Sequence, residues 1–167
     1  MVRHPRLIGA LLAAHLSTLV QAQPPRYLEA IEAELEAMGV EATCEAEGSV
    51  RAHCAFRHVT RDATRELWVR MTYSDESDTL YVYVPRLVVA PPEDETTPAV
   101  LRRIAELNWR MLATKLEWNA SDGEVRISAV LHTDSNFDRR AFRTLVRVVL
   151  GQAQRYQPEL ERIVIPR

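Results

Sequence analysis

Four times in succession between residues 42 and 88, apolar side chains alternate with polar ones at every second position. Ala42, Cys44 and Ala46 form the first set, and Ala52, Cys54 and Phe56 the second, set against Arg51, His53 and Arg57. In the third, Leu67, Val69, Met71 and Tyr73 oppose Trp68, Arg70 and Thr72. In the fourth, Leu80, Val82 and Val84 oppose Tyr81 and Tyr83. A period of two is the mark of a strand with one covered face. The turn-forming stretches at 45–50 and 74–78 are short enough for hairpins. Residues 42–88 are therefore read as a four-stranded antiparallel meander.

The rest of the chain reads as helices and one further hairpin. Leu28, Ile31, Leu35 and Met38 repeat at helical spacing, with Glu29, Glu32, Glu34 and Glu36 assigned to a solvated face and Gly39 as the stop. After Pro91 and Pro92, Thr97 is expected to cap a helix with Pro98 at its first position. Val100, Leu101, Ile104, Leu107, Met111 and Leu112 form its apolar stripe. Residues 113–118 and 124–132 make a hairpin around Asn119 to Gly123. Asp138 starts a last helix whose Phe137 and Phe142 match a hydrophobic staple and whose buried face extends to Tyr156. The order α-β-β-β-β-α-β-β-α defines an α+β fold with an antiparallel sheet.

The N-terminus reads as an address. Arg3 and Arg6 precede an apolar stretch at 7–20, and Val20-Gln21-Ala22 offers a small-residue cleavage site. This is the pattern of a secretory signal peptide cut after Ala22. A membrane anchor would need ~20 apolar residues, and here His15, Ser17 and Thr18 interrupt a stretch of 14 positions. The expected mature region is residues 23–167, one domain, periplasmic or secreted, without stable membrane insertion. Without Arg3 and Arg6, 19 basic residues face 23 acidic ones, a net of −4. No strong positive field is left to recruit nucleic acid.

The two cysteines lie inside the first hairpin. Centring its turn on Ser49 sets Ala46 opposite Ala52 and Cys44 opposite Cys54, at the cross-strand spacing that a disulfide spans. An oxidising compartment favours the bond, whereas in a reducing one the pair would be two facing thiols.

From Val100-Leu101-Arg102-Arg103-Ile104-Ala105-Glu106-Leu107-Asn108-Trp109, through Lys115-Leu116-Glu117-Trp118 and Asp122-Gly123-Glu124-Val125, to the last helix at 138–156, the chain resembles the YbjN family. The family is linked by name to bacterial sensory transduction regulation. The resemblance is strongest over 98–156 and rests on element order alone over 26–90. It implies a fold similar to type III secretion chaperones, which bind partner proteins, and it supplies no catalytic residues. The export signal and the cysteine pair depart from the family pattern and count against a cytoplasmic regulatory role.

The residues themselves offer surfaces rather than chemistry. At about 100° per residue, Asn108 falls inside the apolar stripe, close to Ile104. A buried amide there is expected to tie the helix to neighbouring backbone, with a ligand contact as the alternative. Arg139, Arg140, Arg143 and Arg147 share one arc of the last helix. Two of them lie in its first turn, where positive charge opposes the helix dipole. They are a candidate surface for an acidic partner, or else a solvated face. Trp68, Tyr81 and Tyr83 form a second candidate surface on the outer side of the sheet. His53, His58 and His132 are scattered, no nucleophile or metal motif is present, and neither a catalytic residue, a metal nor a cofactor is expected. The functional expectation is an exported, non-enzymatic protein-binding module. The alternatives are a small envelope enzyme with an unrecognised site, or a structural protein that self-associates as a homodimer.

Overall fold

Among the described residues, six strands form one sheet in the spatial order 42–47, 51–59, 66–74, 79–89, 124–132 and 115–118, with every neighbouring pair antiparallel. The structure is a computed structural model that describes residues 23–60, 65–134 and 136–165. The segment read as an export signal lies outside the described residues. The elements are α1 (Leu28–Ala37), β1 (Ala42–Glu47), β2 (Arg51–Val59), β3 (Glu66–Ser74) and β4 (Thr79–Val89). They continue with α2 (Thr97–Arg110), β5 (Lys115–Trp118), β6 (Glu124–His132) and α3 (Arg139–Val164). The class and the element order match the reading of the sequence.

Alternation decides which face is covered. Ala52, Cys54, Phe56, Val69, Met71, Tyr73, Leu80 and Val82 are buried together with Val125 and Ile127 of β6. α3 lies over β4 and β6, α1 contacts β1, and α2 contacts β5 and α3. The β1–β2 register sets Cys44 opposite Cys54, and the two are joined in a disulfide. Gly123 shows why the second hairpin needs a glycine. A Cβ at this position would lie 2.6 Å from the Pro91 nitrogen.

 Gly123 itself adopts φ +70, a left-handed conformation, and its carbonyl oxygen accepts the Ala90 N–H at 2.8 Å. Only a residue without a side chain lets the β4–α2 connection pass this close.

Three local expectations are corrected. Thr97 does not cap α2: Thr96 holds the cap position, and the Asp94 carboxylate accepts from the Thr96 N–H at 2.8 Å and its hydroxyl at 2.7 Å. Those two bonds hold the Asp94 carboxyl below its usual range. Thr97 turns inward instead and donates its hydroxyl to the Pro91 carbonyl at 2.6 Å. Leu112 does not join the apolar stripe, because α2 ends at Arg110 and Met111 adopts an extended ψ of 125. Finally, α3 continues past Tyr156 to Val164 with Pro158 inside it. Pro158 removes one helical donor, but Leu160 beyond it is fully buried, and Glu161 and Glu159 pair with Arg65 and Arg103. Tertiary anchoring carries the helix through its breaker.

Candidate partner-binding surfaces

Arg139, Arg140, Arg143 and Arg147 of α3 do not form one stripe. Glu34, expected on a solvated face of α1, is buried. It accepts hydrogen bonds from Arg139 Nη1 at 3.3 Å and from Arg143 Nη1 at 3.0 Å. A carboxylate beside the first two turns of α3 offsets the charge that two arginines bring to a helix N-terminus. It also joins α1 to α3. Arg140 and Arg147 are exposed and have no ion pair among the described residues.

Among the described residues no helix covers the outer face of the sheet, and its aromatic residues divide. Tyr81 and Tyr83 stack with ring centroids 5.0 Å apart. The Tyr81 hydroxyl donates to Glu117, and Arg126 lies 5.5 Å from the Tyr83 ring centre. Partial burial and the neighbouring carboxylate push the Tyr81 phenol up to about 12. These two side chains are occupied with one another and with their neighbours. Trp68 is half exposed, with Arg57 5.6 Å over its ring.

The corner between α2 and β5 is the most exposed apolar part of the described surface. Asn108, partly buried, sets it up. Its Nδ2 donates to the Leu116 carbonyl at 2.9 Å, and its Oδ1 accepts the Leu116 N–H at 2.8 Å. This double bond pattern draws the start of β5 back against α2, so residues 111–114 must turn within four positions. Met111 and Thr114 go inward, while Leu112 is 99% exposed and Trp109, on the last turn of α2, is 90% exposed. A groove lies on each side of the corner. One, of about 490 Å³, runs between Ala113, Leu131 and the α3 residues Ala141, Leu145 and Val148, with Arg140 on its rim. The other, also of about 490 Å³, includes Met111, Leu112 and Tyr156 and is flanked by Arg110 and Arg155. Neither Arg110 nor Arg155 has an ion pair among the described residues; Arg155 lies over the Tyr156 ring at 5.5 Å. Sequence reasoning missed this corner because it placed Leu112 in the core. The available signal was Trp109, which helical spacing sets off the apolar stripe.

The groups suited to chemistry are dispersed. His53 lies between Glu47 at 2.9 Å and Thr72 at 3.3 Å. That contact holds the Glu47 carboxyl below its usual range. His58 faces the Gln154 side chain at 2.8 Å, and burial pushes its imidazole down. Both thiols are consumed in the disulfide. Among the described residues no group of three His, Cys, Asp or Glu side chains could hold a metal ion. No helix among them is long and apolar enough to cross a membrane.

The family model YbjN, described as "Putative bacterial sensory transduction regulator", matches residues 27–162. No curated protein matches the sequence. Among solved structures, a crystal structure of YbjN, "a putative transcription regulator from E. coli", is similar with a TM-score of 0.49 and 13% identity. The match covers 81% of this chain and 90% of that one.

Proposed function

This chain belongs to the YbjN family, and on that premise we propose that it is an exported, non-enzymatic protein-binding module whose contact surface is the α2–β5 corner. One observation carries the reading: Trp109 and Leu112 stand almost wholly in solvent, three positions apart, and Leu112 lines one of two neighbouring grooves that share Ala113 and Val148. Aromatic and large aliphatic side chains held out in this way are the usual anchors of protein interfaces. The exposed guanidinium groups of Arg110, Arg140 and Arg155 carry no ion pair among the described residues and outnumber the lining carboxylates, Asp138 and the Arg103-paired Glu159, so the rim is net positive. The partner is then a segment with apolar side chains for the grooves and carboxylates for the rim. Export is supported by the basic and apolar N-terminal pattern and by the disulfide between Cys44 and Cys54.

Quantitative capture from the envelope fraction of the source organism tests the reading, with wild type, Trp109→Ser/Leu112→Ser and Arg140→Glu/Arg155→Glu as baits. A protein enriched by wild type should be lost from the first variant and reduced in the second. Equal recovery on all three baits overturns the assignment of the corner. Size-exclusion chromatography across concentrations separates this outcome from self-association, which would appear as a dimer peak lost in Trp109→Ser/Leu112→Ser.

A further inference from the structure

The sheet is split along part of its length. β3 pairs with β2 from Ser74 to Glu66, but with β4 only from Ser74 to Arg70. Beyond the Arg70–Tyr83 pair, β4 continues into Pro85, which has no N–H to give to a ladder. Arg86 follows at φ 51, a left-handed conformation rare for a residue with a side chain. The register of β4 against β6 shifts between Val84 and Val88. The lower halves of β3 and β4 therefore part, and a cleft of about 290 Å³ opens between them. That volume lies at the lower end of small-ligand sites.

The walls of this cleft define what it could hold. Leu67, Val84, Pro85 and Leu87 supply apolar surface, and Trp68 adds an aromatic face. Arg70 lines the cleft, is exposed, and has no ion pair or hydrogen bond among the described residues. Arg86 also lines it, and its only ion pair among the described residues is a long one, 4.0 Å to Glu124. The acidic residue present, Glu66, is already paired with Arg57 at 3.2 Å. From α3 comes Gln157, whose side-chain oxygen is buried without a hydrogen-bond partner. A buried acceptor left unpaired is unfavourable, and a backbone outlier such as Arg86 is found where surrounding structure or a ligand holds it.

We propose that the cleft between β3 and β4 binds a small carboxylic acid with an aromatic or branched apolar body and one hydrogen-bond donor. The carboxylate pairs with Arg70, the body lies against Trp68 and Pro85, and the donor satisfies Gln157. One unpaired guanidinium suits a singly charged acid. This site is separate from the α2–β5 corner, so the two readings stand or fall independently.

Isothermal titration with indole-3-acetate and with N-acetylphenylalanine tests the proposal, with 3-methylindole as the probe that lacks the carboxylate. At least one of the two acids should bind saturably at one site, with a dissociation constant below about 1 mM. The neutral probe should bind about tenfold more weakly or worse, as should the acid to Arg70→Glu and Arg70→Gln. Gln157→Leu should weaken the acid severalfold, and Trp109→Ser/Leu112→Ser should leave it unchanged. The Arg70 side chain is exposed and makes no bond among the described residues, so both of its variants should retain the wild-type amide spectrum. Absence of saturable binding by both acids overturns the proposal, as does equal binding of the neutral probe or equal affinity in the Arg70 variants.

Discussion

Replacing Arg143 by Ala separates a structural arginine from a surface one. Glu34 is buried and receives two guanidinium groups. Arg143→Ala leaves its carboxylate with one bond, the 3.3 Å contact from Arg139, whose side chain is 63% exposed. Breaking a fully buried ion pair costs about 3–5 kcal/mol. Here the arginine side is 40% exposed, so solvent screening reduces the figure to roughly 2–3 kcal/mol. Arg139→Ala removes the longer and more exposed contact and should cost about 1 kcal/mol. Arg147→Ala, with no partner among the described residues, should stay within about 0.5 kcal/mol. Urea unfolding at neutral pH resolves this order, because a slope of about 1–3 kcal/mol/M turns the Arg143 effect into a midpoint shift of about 1 M or more. Adding Glu34→Gln to Arg143→Ala should cost much less than the sum of the two single changes. Equal stability losses for Arg143→Ala and Arg147→Ala would refute the division of the arginines.

Three further outcomes follow from the packing. Asn108→Leu should cost about 2–3 kcal/mol in urea unfolding, since the Leu116 N–H and carbonyl each lose a partner; a loss under 0.5 kcal/mol would contradict the clamp. Cys44→Ser/Cys54→Ser should lower stability by about 2–3 kcal/mol through a freer unfolded chain, and wild type should lose a similar amount on reduction. The folded state disfavours protonated His58, whose pKa lies below its unfolded value. Its contribution is therefore complete above the unfolded value near 6.5 and is lost as pH falls below it. Unfolding midpoints at pH 8 and pH 5.5 should differ more in wild type than in His58→Gln, and equal differences would contradict the burial of the neutral ring.

What could be read from the sequence was local. The Cys44–Cys54 register follows from a turn centred on Ser49, and the α3 staple from the spacing of Phe137 and Phe142, whose rings lie 5.3 Å apart. The placement of β6 beside β4, with β5 at the edge, depends on non-local pairing that no short window encodes. Glu34 was assigned to solvent because the pattern admits only apolar-in and polar-out, whereas its partners lie more than 100 residues away. Leu112 has the right helical spacing, but the Asn108 clamp ends the helix before it. The cleft beside β3 was likewise hidden, since Pro85 and Arg86 mark a break only once the pairing partners are known.

The central claim is that the exposed corner between α2 and β5 meets a partner protein. Placing a photo-cross-linking benzoylphenylalanine at position 112 of the full chain, in living cells, tests it most directly. The account predicts a discrete adduct with one protein, absent when the same group stands at Glu29 on the far helix, and weakened by Arg140→Glu/Arg155→Glu. The same faint background at both positions would contradict it.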